Sequence, residues 1–245
     1  MTDGPAATAA LPPPAASDVF GDRLVLAQAY AAWLADAGVV RGLIGPREAP
    51  RLWDRHLLNC AVLTEVLPAG SSVADIGSGA GLPGLALAIA RPDLRVTLVE
   101  PLLRRATFLQ EVVDDLDLGA VEVVRARAED VRERRFAVTV SRAVAPLPRL
   151  ADWCLPMTEV GGAMVALKGD RAATEVAELP PASWTASGAA QPEVLTVGVG
   201  VVDPPVTVVR VVREREAPVR LVGHDGPPSG RPRRRSSSSA RRRPR

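Results

Sequence analysis

The sequence predicts an α/β protein built on a doubly wound, mostly parallel sheet, with helices ahead of it and an antiparallel hairpin at its C-terminal end. Three observations carry this. Short β-branched apolar runs alternate with helical segments, the pattern of a parallel sheet covered on both faces. A glycine-rich stretch, VADIGSGAGLPG from Val73 to Gly84, follows the first run and opens a helix. The last two runs, VLTVGVGVV and VTVVRVVRE, are separated only by Asp203, Pro204 and Pro205. Strands joined by so short a turn must be antiparallel.

Residues 1–17, MTDGPAATAALPPPAAS, lack a basic start and an apolar centre and carry several prolines, so a disordered leader is expected there rather than a secretory signal. Residues 18–70 are expected to hold the N-terminal helices. One runs from Phe20 to Ala37 with Asp18 as N-cap, and one from Arg47 to Leu67 with Pro46 at its start and Pro68 beyond its end. The core spans 71–222. Its strands are SVADIG, RVTLVE, AVEVVRA, AVTVSRA and GGAMVALKG, with helices near Pro83–Ala90, Leu103–Leu116 and Leu147–Leu155 between them. Residues 223–245 form a low-complexity tail expected to be disordered.

At 245 residues and 47% hydrophobic, the chain suits one domain with tails. No apolar run reaches membrane-spanning length. Cys60 and Cys154 have no CxxC or histidine partner nearby, so they read as buried structural residues and no metal site is expected. The expected compartment is the cytoplasm. The net charge of +2 conceals a division, because residues 231–245 hold eight arginines and no acid, which leaves 22 basic against 28 acidic side chains in the rest. A tail of this kind suits a polyanion. Eight phosphate contacts on a single strand would give log affinity a slope of about −5 to −6 in log salt.

The glycine loop fits two cofactors. Gly79, Gly81 and Gly84 match the dinucleotide fingerprint G-x-G-x-x-G, while Asp75, Gly77, Gly79 and Gly81 match D-x-G-x-G-x-G, the pattern of S-adenosylmethionine sites. Pro83 removes a backbone donor where a pyrophosphate would need one. Asp75 adds a negative charge expected to repel phosphate and attract an ammonium or sulfonium. Both favour the cationic ligand. Glu100, at the end of the second strand, suits the ribose hydroxyls of either.

The chain resembles the ribosomal small subunit methyltransferase G family, also called glucose-inhibited division protein B. The resemblance rests on LWDRHLLNCAVL (Leu52–Leu63), DIGSGAGLPG (Asp75–Gly84), RRATFLQEV (Arg104–Val112), RAED (Arg127–Asp130), SRAVAPL (Ser141–Leu147) and ALKG (Ala166–Gly169), in order over residues 20–212. It implies the Rossmann-like fold of S-adenosylmethionine-dependent methyltransferases and methylation of N7 of a guanine in the decoding-region loop of 16S rRNA. It further implies that Gly77 and Leu82 line the methionine and ribose part of the site, that Ala128 and Glu129 meet the adenine, and that Arg142 lies beside cofactor and target base. Arg127 and Lys168 are RNA-contact candidates by the same route. Ala80 stands where many relatives have proline, a departure expected to be tolerated. The expected partner is 16S rRNA or the small ribosomal subunit, engaged by a monomer without membrane or metal.

The chemistry is consistent. No D/N-P-P-Y clamp for an exocyclic amine is present, and the one tyrosine, Tyr30, lies in the first helix. Guanine N7 carries a lone pair and no hydrogen, so it needs no general base. An arginine suits recognition because its planar fork pairs with O6 or phosphate, which makes Arg142 the candidate for positioning the base. Lys168 is the sole lysine among 30 basic residues, which reads either as a compact charge kept near phosphate or as a chance survivor. His56 is either a packing residue or an RNA or loop contact. The four tryptophans are too scattered for a stacking platform and read mostly as core or helix-packing residues. The alternatives are a small-molecule or protein methyltransferase on the same fold, and a noncatalytic RNA-binding protein.

Overall fold

Strand and helix alternate as expected because each apolar run is short, β-branched and bounded by glycine, proline or charge. The computed structural model describes residues 10–142, 145–219 and 221; the predicted tail and the first nine residues of the leader lie outside them. Strands β1 (Ser72–Ile76), β2 (Arg95–Val99), β3 (Val121–Val124), β4 (Phe136–Arg142) and β5 (Thr158–Lys168) are parallel. β6 (Glu193–Val197) and β7 (Val206–Val212) form the antiparallel pair. The order is β3-β2-β1-β4-β5-β7-β6, with β7 inserted antiparallel beside β5. The chain reverses direction across the sheet between β1 and β4, and ligands of doubly wound sheets bind at the carboxyl ends beside such a point.

Side chains alternate across the sheet and divide the core in two. Val73, Leu98, Val140 and Leu167 face the N-terminal helices together with α4 (Gly84–Ala90) and α5 (Leu103–Asp115). Ala74, Ile76, Val99 and Ala166 face α6 (Leu147–Cys154) and the two short helices Ala172–Ala177 and Pro181–Ala186, which the sequence reading did not foresee.

The N-terminal region departs from expectation in its boundaries. Helix begins at Pro14, inside the segment assigned to the leader, with Pro13 rather than Asp18 as N-cap. Prolines read as breakers instead start the helix, since proline at its first positions costs no hydrogen bond. Ala16 and Phe20 anchor this turn in the core. At Gly21 (φ +50°) the run is broken, resumes as Leu24–Trp33 and ends in a π-helical turn, Leu34–Gly38. The second expected helix is a composite of 3-10, π and α turns from Ala49 to Val66. The C-terminal connection is also longer than expected, because Gly198 and Gly200 adopt positive φ and end β6 at Val197.

α4 approaches β1 and β2 closely at Gly84, where an added Cβ would lie 2.8 Å from Asp75 Oδ2. Alanine normally gains about 0.5–1 kcal/mol over glycine in a helix, but overpacking costs about 1–3 kcal/mol. Gly84→Ala is therefore expected to destabilise the protein by roughly 1–2 kcal/mol in urea unfolding, and a stabilised variant would contradict this packing.

Candidate functional site

The loop between β1 and α4 is held by donors and acceptors drawn from four directions. Gly77, Gly79 and Gly81 all have positive φ, at +76°, +58° and +96°, which lets the chain reverse within a few residues. Gly77 and Ser78 donate to Val99 O, Gly81 and Leu82 to Ser78 O, and Leu85 to Gly81 O. Gly79 N–H donates to Glu100 Oε2 at 3.0 Å, and Gly84 N–H to Asp75 Oδ2 at 3.0 Å. Tyr30 Oη donates to Ala80 O at 2.8 Å, so the first helices pin the loop from outside the sheet. With these amides engaged inside the protein, the loop offers no set of free N–H groups to cradle a pyrophosphate. This observation weighs against a dinucleotide more directly than Pro83 does.

A cavity of about 500 Å³ opens at the carboxyl ends of β1, β2 and β3. Gly77, Glu100, Leu102, Ala128, Glu129 and Trp153 are among its walls. The volume suits a nucleoside-sized ligand. Glu100 is 2% exposed, and its two oxygens accept from Gly79 and Leu102 N–H while Arg105 Nη1 lies 3.8 Å away. Each carboxylate oxygen has a second lone pair, so a diol can still be accepted. Trp153 Nε1–H donates to Glu129 Oε1 at 2.8 Å, and Arg149 stacks 5.1 Å above the Trp153 ring. A second cavity, about 550 Å³, lies at the amino ends of the strands around Arg95 and Arg134, the wrong edge for this fold.

The structure brings Gly77, Glu100, Ala128, Glu129 and Arg127 to the cavity, with Arg127 exposed at its rim. Gly79 reaches it through its bond to Glu100. Leu82 is buried in the core behind the loop, off the cavity wall. Asp75 corrects the electrostatic expectation. It is fully buried beneath α4, away from the cavity wall, and it braces Gly84 instead of facing a cationic ligand. Burial pushes its carboxyl up to about 7, and its Oδ1 has no hydrogen-bond partner among the described residues.

Arg142 ends β4 partly buried, with Nη1 3.6 Å from Cys60 Sγ. Burial raises the Cys60 thiol to about 11, so it meets Arg142 as a neutral acceptor. Arg142 makes no ion pair among the described residues and is left available to a ligand. Two RNA-contact candidates have partners inside the protein, which for His56 is its packing alternative. Lys168, whose side chain is 7% exposed, gives its ammonium to Glu175 at 2.8 Å and to Ala145 O at 3.0 Å. Glu175 also accepts from Leu147 N–H, so the lysine secures the chain that leads from β4 into α6. His56 is turned inward, its Nε2 3.0 Å from Glu48 Oε2, and burial holds its pKa below the ordinary value. Sequence reasoning missed Trp153, Arg149 and Leu102; a helix following β4 must start at the carboxyl edge, which was the available signal for the first two.

The family model for rRNA small subunit methyltransferase G matches residues 23–200. The chain belongs to this family. The ribosomal RNA small subunit methyltransferase G of Salinispora tropica is 58% identical over 229 residues, covering 88% of this chain and 94% of its own. That of Streptomyces coelicolor is 58% identical over 201 residues, covering 81% and 84%. A predicted O-methyltransferase from Agrobacterium tumefaciens is similar in structure, with a TM-score of 0.50 at 19% identity over 66% of this chain and 82% of that one. This likeness supports the methyltransferase fold. Among the described residues no helix is long and apolar enough to cross a membrane.

The raised Asp75 pKa has a sign. Unfolded, the carboxyl titrates near 3.9; folded, near 7. Between these values the folded state binds more protons, so this group makes stability fall as pH rises from about 4 to 7. Asp75→Asn is expected to flatten that segment of a melting-temperature profile against pH. An unchanged slope would place the titration elsewhere.

Proposed function

We propose that the protein transfers a methyl group from S-adenosylmethionine to N7 of a guanine in the decoding-region loop of 16S rRNA. Membership of the methyltransferase G family supports the reaction and the rRNA substrate. The observation in the molecule that carries the reading is Glu100, a buried carboxylate on the wall of a nucleoside-sized cavity beside a glycine loop with no pyrophosphate cradle. The residues present fit the cofactor. Glu100 would accept its ribose hydroxyls, Gly77 would let it approach the backbone, and Ala128 and Glu129 would meet the adenine, with Glu129 oriented by Trp153.

S-adenosylmethionine, when bound, supplies an electrophilic sulfonium methyl group. No described side chain has to remove a proton, because N7 attacks with its own lone pair. Arg142 holds the guanine by O6 or phosphate, using a fork that Cys60 contacts but does not neutralise. Fixing the two reactants in line can contribute about 7–11 kcal/mol to lowering the barrier. Arg127 on the rim meets RNA phosphate. The enzyme acts in the cytoplasm, as its substrate requires.

With small ribosomal subunits lacking the modification, the protein is expected to introduce one 7-methylguanosine, identified by mass spectrometry after RNA digestion. Arg142→Ala is expected to lower kcat/KM at least 100-fold, about 2.7 kcal/mol, with the melting temperature within a few degrees of the unaltered protein. A near-normal rate in the variant would remove Arg142 from this role.

A further inference from the structure

A further cleft, of about 520 Å³, opens at the same carboxyl edge and shares no lining residue with the cofactor cavity. Its position follows from register: Lys168 at the end of β5 pairs with Thr207 of β7, so the β6–β7 connection stands at the edge where β1 and β4 end. One wall is the helical run that carries Cys60, presenting Arg51, Asp54, Arg55 and Asn59; the other includes Val202 and Asp203 of that connection. Leu58, 2% exposed, lies between them.

The cleft is a held shape. Gly198 N–H donates to Glu65 Oε1 at 3.0 Å, fixing the β6–β7 connection to the end of the helical run. Trp53 Nε1–H donates to Ala10 O at 2.8 Å, fixing the N-terminal segment to the same run.

We infer that this cleft binds one nucleotide of the rRNA strand flanking the methylated guanine. The inference rests on the methyltransferase reading above and names a subsite for its substrate. Location is the first argument: Asn59 on the cleft wall is the chain neighbour of Cys60, whose sulfur lies 3.6 Å from Arg142 Nη1. Chemistry is the second. Arg51 and Arg55 are exposed, and Arg51 makes no ion pair among the described residues; Arg55 reaches only Glu48, at 3.9 Å. Such forks suit phosphate oxygens. A site for phosphate alone would not also hold Asp54 and Asp203, which repel it. A nucleotide accounts for both, since its phosphate accepts from arginine while its base offers N–H donors to carboxylates and to the Asn59 amide. Leu58 and Val202, both buried, form the floor of the cleft and leave the polar contacts to its walls.

The test is steady-state methylation of small subunits by the full-length protein. Arg51→Ala with Arg55→Ala is expected to raise KM for subunits at least tenfold and to make the dependence of log kcat/KM on log salt shallower by about two units. Calorimetric affinity for S-adenosylhomocysteine and the melting temperature are expected to stay unchanged. Asp54→Ala separates a nucleotide from a bare phosphate: loss of a base contact raises KM, whereas loss of a repelling charge lowers it. A lowered KM for Asp54→Ala, or an unaltered KM in the double variant, would overturn the assignment. Absence of methyl transfer by the unaltered protein would overturn the reading beneath it, a result distinguishable because it needs no substitution.

Discussion

The site depends on one buried hydrogen bond, from the Gly84 N–H at the start of α4 to the Asp75 carboxyl at the end of β1. A loop of alternating positive-φ glycines has no preferred path of its own, because glycine loses more conformational freedom on ordering than any other residue. Asp75 fixes where that loop ends, Glu100 fixes its middle through Gly79, and Tyr30 fixes Ala80 from the N-terminal helices. Glu100 is therefore placed on the cavity wall by the loop it restrains. The arrangement is reciprocal: the same carboxylate that would meet the ribose is aligned by two backbone donors, Gly79 and Leu102, and cannot swing away without leaving both unpaired.

The N-terminal helices belong to this constraint and are more than a cover for the sheet. Arg23 Nε donates to Ile89 O at 2.8 Å, securing the last turn of α4, while Tyr30 secures the loop before its first. Both ends of α4 are thus tied to the helical run preceding β1. Cys60 extends the connection to Arg142. The glycine loop and Arg142 are held in register by one N-terminal unit, whose π and 3-10 turns let its residues reach these fixed contacts.

Much of the fold was legible because its signals are local. Alternating β-branched runs, glycines before a helix and a short link between the last two runs survive without tertiary information. Placement at the cavity was legible for Glu100 from its position at the end of the second strand, and for Ala128 from the family resemblance. Asp75 was misjudged because charge was considered without direction. Residues two apart share a face, and Val73 already marked that face as core. Lys168 was misjudged for a similar reason: its rarity in an arginine-rich chain describes composition, whereas its burial follows from Glu175 on the short helix Ala172–Ala177. Trp153 illustrates the reverse failure. Scattered in sequence, it reaches the cavity because α6 starts where β4 ends.

An acidic body that handles RNA is explained by which charges are already engaged. At the carboxyl edge Glu100 accepts from two amides, Glu129 from Trp153, Glu48 pairs with His56, and Glu175 with Lys168. Arg51, Arg127, Arg142 and Arg149 at that edge make no ion pair among the described residues. Elsewhere arginines are paired away: Arg41 with Glu111, Arg91 with Asp93, Arg134 with Glu122, Arg210 with Glu193. Screening limits exposed charges to about 10 Å at 0.1 M salt, so an RNA strand at this edge meets the local arginines and little of the acidic remainder. Net charge sets solubility and nonspecific association. The carboxyl edge thus presents unneutralised arginine forks together with Asp54 and Asp203, while Glu48, Glu100, Glu129 and Glu175 are already engaged.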